Sequence, residues 1–185
     1  GSETAKRARW FAETAAGPKS SSGIATRNTL MNEPAANLAD ADRRRTDILH
    51  EYFVPPEGFG DFLKACREII PGSVSEFLNV TLRYVAADPT SRLAFAPTRR
   101  IAAVMSFSQP MQMDAEADMM RTTEALIDRI GAIGGSFYLP YRLHARRDQV
   151  TTIYKGAAEF AALKRRHDPG LLFRNAMWDT YFATL

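Results

Sequence analysis

The hydrophobic period switches between two residues and about 3.6 residues several times from Thr46 to Arg166, and that alternation bounds the fold more tightly than any single motif. Over Asp47–Val54, Ile48, His50, Tyr52 and Val54 fall on one face and Leu49, Glu51 and Phe53 on the other, which predicts a strand. Pro55-Pro56 ends it. Pro56 and Glu57 open a helix to Ile70 that Pro71-Gly72 stops. Glu76–Ala87 reads as a long strand, Asp88–Ser91 as a turn, Leu93–Ala96 as extended and Arg100–Ser108 as a further strand broken by Gln109-Pro110. In Ala115–Ile133, Met119, Met120, Thr123, Leu126, Ile127, Ile130 and Ile133 recur at helical spacing, and Gly134-Gly135 closes the helix. Phe137–Tyr141 reads as a short strand, and Arg147–Tyr154 and Ala157–Arg166 as helices. This order implies an α+β fold, an antiparallel sheet covered on one face by helices.

The two ends behave differently. Gly1-Ser2 reads as a cloning remnant, residues 3–16 as a helix and residues 17–45 as an extended arm rich in Gly, Ser, Asn, Asp and Ala. The expected organisation is therefore an N-terminal helix and arm over 1–45, a compact domain over 46–169 and a tail over 170–185. The tail carries Phe173, Trp178, Tyr181 and Phe182. A segment that apolar must pack on something, and the expected partner is another domain or another copy of the chain.

Composition narrows the function classes. The chain has 185 residues, 45% of them apolar and 24% charged, enough for one sizeable core. The net charge of +3 is spread out, and the basic runs Arg43–Arg45 and Lys164–Arg166 stop at three residues, which speaks against nucleic acid. The one cysteine, Cys66, sits in a helical apolar pattern as core filler and excludes an internal disulfide. No apolar run reaches the roughly 18 residues of a membrane span. With no signal peptide, the expected compartment is the cytoplasm. The three histidines show no metal-ligand spacing, and the methionines between 105 and 120 read as helix core.

Strand parity supplies the candidate site. Asn79, Thr81 and Arg83 alternate with Val80, Leu82 and Tyr84; Ser106 and Ser108 alternate with Met105 and Phe107; Tyr138, Pro140 and Arg142 share a face of the short strand. A sheet face bearing Thr81, Arg83, Ser106, Ser108, Tyr138 and Arg142 is too polar for a core. It is either a plain solvent face or the ceiling of a polar site.

Five segments carry a resemblance. Glu51-Tyr52-Phe53-Val54-Pro55, Leu82–Asp88, Ala103–Ser108, Gly134-Gly135 through Arg142, and the closing Asp168-Pro169-Gly170-Leu171-Leu172-Phe173-Arg174-Asn175 occur in one order. Together they resemble the substrate-binding cap domain of the vanillyl-alcohol-oxidase family of FAD-linked oxidoreductases, nearest its branch acting on alditols and sugar lactones. The resemblance implies hydride transfer from a hydroxyl-bearing carbon to flavin, with FAD held mainly by an N-terminal domain that these 185 residues do not contain. It implies catalytic roles for Arg142 and Tyr138, substrate contacts from Arg83, Thr81, Ser106 and Ser108, and a flavin or inter-domain hydrogen bond from Asn175. Thr81 replaces an acidic residue of the family pattern, Ser106 and Ser108 replace a histidine and a threonine, and Arg142 replaces a lysine. The implied partners are a small hydroxylated substrate and the chain's own FAD domain, with no nucleic acid, no membrane span, and oligomer contacts through the arm and tail. The competing class is a stand-alone α+β module that binds a ligand or nucleic acid without catalysis.

Overall fold

The structure, a computed structural model, describes residues 3–17, 26–28 and 44–185. The chain divides into two units, Gly1–Ala39 and Asp40–Leu185. In the first, helix α1 (Glu3–Phe11) runs into a π-helical turn, Ala12–Ala16, and Arg9 pairs with Glu13 one turn on. Most of the arm expected over 17–45 lies outside the described residues.

The second unit is an α+β fold. It comprises β1 (Arg45–Val54), α2 (Phe59–Ile69), β2 (Glu76–Val85), β3 (Arg100–Pro110), α3 (Met113–Ala132), β4 (Ser136–Phe137), α4 (Arg147–Ile153) and α5 (Ala157–His167). The four strands form one antiparallel sheet in the order β2-β3-β1-β4. On β1 the predicted alternation holds: Ile48, His50, Tyr52 and Val54 are buried. Register places Phe107, Met105, Ala103 and Ile101 of β3 on that same face. Against it pack Phe62 of α2 and Met119, Leu126, Ile127 and Ile130 of α3. Fully burying an aliphatic or aromatic side chain of this size is worth about 1.5–3 kcal/mol, so this layer dominates the stability of the fold.

The glycine pair ends α3 as its position suggests. Gly134 adopts φ 72°, and the Gly134 and Gly135 amides donate to the carbonyls of Gly131 and Ile130. Gly135 also lets the chain pass close to β1. A Cβ there would lie 2.6 Å from Ile130 Cγ2 and 2.9 Å from the Phe53 carbonyl oxygen. The buried Arg100 at the head of β3 fastens this corner by donating to the Gly134 carbonyl at 3.2 Å.

Four expectations need correction. The tail does not wait for another domain. Trp178, Tyr181 and Phe182 form a π-helical turn buried in the core of this unit, with the Phe182 ring 5.0 Å from Phe160 of α5. Arg147 and Arg165 hold it by donating to Thr184 and to the Ala183 carbonyl. Leu172, Phe173 and, less fully, Leu185 keep the exposed apolar character foreseen for the whole segment. The strand expected over Phe137–Tyr141 shrinks to Ser136–Phe137, because Leu139-Pro140 turns the chain away from β1. Leu93–Ala96, read as extended, is turn and loop. Met105 and Met119 are core, but Met111, Met113 and Met120 are exposed.

Candidate functional site

The face of the sheet turned away from the helices is built in rows. Across β2, β3 and β1, register aligns Glu76, Ser108 and Asp47, then Asn79, Ser106 and Leu49, then Thr81, Val104 and Glu51, then Arg83, Ala102 and Phe53. Directly opposed residues in an antiparallel ladder project to the same side, so Thr81, Arg83, Ser106 and Ser108 do share one face. A bulge between Phe77 and Asn79 sets this parity on β2.

The ends of this face differ. At one, the loop between β2 and β3 folds over: Phe95 stacks on Phe53 with ring centroids 4.4 Å apart, and the Ser136 hydroxyl donates to the Phe95 carbonyl. At the other, the Arg45 guanidinium donates to the Ser108 hydroxyl at 3.0 Å and to its carbonyl at 2.7 Å. Ser108 is fully buried there, so its expected role in touching substrate is corrected. Asn79, Thr81 and Arg83 remain exposed, and Ser106 is half-buried between Asn79 and Leu49.

An aromatic row runs beside them. Tyr138 packs edge-on against Phe95 at 5.9 Å and against Tyr141 at 4.7 Å. The Tyr138 amide donates to the Glu51 carbonyl, one residue beyond the paired Ser136 and Phe137. Burial, then the Glu51 carboxylate and Tyr138, push the Tyr141 phenol above its ordinary value, while Arg83 opposes them. Tyr141 therefore feels both the Glu51 carboxylate and the Arg83 guanidinium. Neither Tyr141 nor Glu51 was among the residues read from the sequence as a site. Both lie within segments that carry the resemblance, Glu51 opening the first and Tyr141 preceding Arg142 in the fourth.

Arg142 leaves this face. Its Nη1 lies 3.6 Å from Glu116 of α3, on the helix-covered side. Glu116 also accepts from Gln109 at 2.6 Å and contacts His144 Nε2 at 2.7 Å. Burial alone would raise the Glu116 carboxyl, but the His144 and Gln109 hydrogen bonds outweigh it and hold the group below its ordinary range. Past Phe137 the chain is no longer a strand, so the parity that grouped Arg142 with Tyr138 does not apply.

A cleft at the uncovered edge of β1 is where the two sides meet. Its lining includes His50, Glu51, Thr123, Tyr138, Tyr141 and Arg142, so it unites Tyr138 with Arg142 but leaves out Arg83, Thr81 and Ser106. Its volume of about 20 Å³ has room for a water molecule and not for a sugar.

Asn175 has a local task. Its side-chain oxygen accepts the Trp178 amide at 2.9 Å and so caps the terminal turn. Among the described residues, no cluster of His, Cys, Asp and Glu could hold a metal ion, and no helix is long and apolar enough to cross a membrane. Comparison of the sequence with protein-family models and with curated proteins finds no match in either.

Proposed function

We propose that residues 46–182 are the substrate-binding cap of an FAD-dependent oxidoreductase acting on a hydroxyl-bearing, sugar-, polyol- or lactone-like compound. The observation that carries this reading is the one-sidedness of the sheet. Helices pack on one face, while the other presents Asn79, Thr81, Arg83, Ser106 and Glu51, with Tyr141 beside them. Such a face is the ceiling of a site whose floor lies elsewhere.

Among the described residues, the glycine pair and Asn175 do not fit the task of holding FAD. The glycine pair closes a helix instead of opening one, so it offers no phosphate cradle, and the Asn175 carbonyl oxygen is occupied by the Trp178 amide. The flavin would belong to a separate domain, and the cap's contribution is confined to the substrate. Arg83 would bind substrate oxygens through its planar fork. Tyr138 and Tyr141 would orient hydroxyls, and Glu51 would accept a hydroxyl proton, directly or through Tyr141.

Expression of the complete reading frame tests the reading. The purified protein should be yellow, and its flavin absorbance should bleach anaerobically with members of an alditol and aldonolactone panel. A preparation that stays colourless after reconstitution with FAD overturns it.

A further inference from the structure

We infer that β2 is a dimerisation edge, and that its occupant is β2 of a second copy of this chain. The strand is the outer one of the sheet, so from Asn79 to Val85 one side of its backbone has no ladder partner among the described strands. The helix layer does not extend over it either. Val80, Leu82 and Tyr84 lie on the helix-side face by register, yet they are 44%, 52% and 74% exposed. An apolar stripe beside an unpaired backbone edge invites another strand, because only a strand satisfies the amides and carbonyls while covering the side chains.

The usual protections against such pairing are missing where they would count. From Asn79 to Val85 the ladder to β3 is regular, with the bulge confined to the Phe77 end and with no proline or lysine in the run. The charge pattern then selects the partner. An antiparallel pair of identical strands centred on Leu82 places Val80 against Tyr84, Leu82 against Leu82 and Tyr84 against Val80. Every residue of the stripe meets another, including a favourable aromatic and β-branched pair. Arg83, the one charged residue of the run, meets Thr81. Centring on Arg83 instead would oppose two guanidinium groups. Centring on Val80 or further toward Phe77 would carry the pairing across the bulge. The Leu82-centred register is the one that uses the whole regular run without opposing like charges.

Such pairing also completes a surface. On the open face it brings Thr81 of one copy beside Arg83 of the other, extending the polar rows continuously across both sheets. The dimer itself does not rest on the flavoenzyme reading, since it follows from the edge alone.

Sedimentation and cross-linking of this chain test the proposal. The chain should sediment as a concentration-dependent dimer. Leu82→Lys, which would oppose two ammonium groups at the centre, should give a monomer with an unchanged far-ultraviolet spectrum. Leu63→Lys, on an apolar residue of α2 exposed to a similar degree, should leave the dimer intact. In a Cys66→Ser background, Leu82→Cys should form an intermolecular disulfide under mild oxidation, because opposed residues in an antiparallel pair lie within disulfide reach. Thr81→Cys, out of register with itself, should cross-link far less. A chain that is monomeric at every concentration overturns the proposal. So does a dimer that Leu63→Lys dissociates as readily as Leu82→Lys, or one in which Thr81→Cys cross-links as well as Leu82→Cys.

Discussion

The Tyr52 hydroxyl lies 3.0 Å from Nδ1 of His50, two residues away on the buried face of β1. Burial keeps the Tyr52 phenol well above its ordinary value, so the hydroxyl retains its proton and donates it. Nδ1 is then the acceptor, and Nε2 carries the imidazole proton toward Thr123 Oγ1 at 3.4 Å, whose own proton goes to the Met119 carbonyl. His50 is thereby fixed as a neutral tautomer.

Acid should unfold the domain through this residue. Burial first, then His144 and Arg142, lower the His50 pKa from 6.5 to about 3. A depressed histidine binds its proton in the unfolded chain before it does so in the folded one. Stability is therefore full above about pH 6.5 and falls by up to about 1.4 kcal/mol per pH unit between there and pH 3. Urea titrations at stepped pH should show this slope, and His50→Asn, which cannot titrate, should flatten it. An equally steep slope in the variant would move the acid sensitivity to other groups.

The tail predicts a sharp contrast between neighbouring aromatics. Trp178 is 3% exposed and Phe173 79%. Trp178→Ala should cost about 3–5 kcal/mol, the usual range for emptying a buried aromatic site. Phe173→Ala should stay within about 0.5 kcal/mol. Thermal and chemical melts of this chain decide it. Equal effects would mean that the tail does not dock as a helical turn against α5.

Two glycines should respond in opposite directions. Gly135→Ala drives a methyl group into Ile130 and the Phe53 carbonyl, and overpacking of this kind costs about 1–3 kcal/mol. Gly60, in the first turn of α2, has nothing within 4 Å of where a Cβ would sit. Gly60→Ala should gain up to about 0.5 kcal/mol from helix propensity. Melting both variants beside the parent checks the pair.

The legible part of this molecule was what obeys a local period. The alternation on β1, the helical repeat of α3 and its glycine stop all follow from neighbours a few residues apart. So does the shared face of Thr81, Arg83 and Ser106, because β2 past its bulge and β3 keep strict parity. Parity failed for Arg142 because only Ser136 and Phe137 of that segment pair with β1. The tail was legible as apolar but not as to its partner, since Phe160 and Phe182 meet across a loop that no period describes. The Glu116 hub has no local sequence signal for the same reason, its contacts Gln109 and His144 coming from separate elements. Tyr141 was hidden by a turn whose direction Pro140 decides.

The two arginines should separate in kinetics of the complete protein. Arg83 stands exposed on the open face, where a substrate held against the sheet would meet it, whereas Arg142 has Glu116 3.6 Å away and a place in the wall of the small cleft. Arg83→Ala should lower kcat/KM by about 100-fold or more, as loss of a preorganised charge-stabilising group does. Its melting temperature should barely move, since the side chain reaches solvent. Arg142→Ala should cost less in kcat/KM and should instead disturb the Glu116 and His144 contacts, seen as a shifted pH dependence of stability. Tyr141→Phe tests the neighbouring phenol: removing the hydroxyl that feels both Glu51 and Arg83 should depress kcat more than it raises KM if that hydroxyl handles the proton. Steady-state kinetics beside thermal melts of all three decide the assignment. If Arg142→Ala abolishes turnover while Arg83→Ala and Tyr141→Phe leave it intact, substrate meets the cleft edge and not the open face of the sheet.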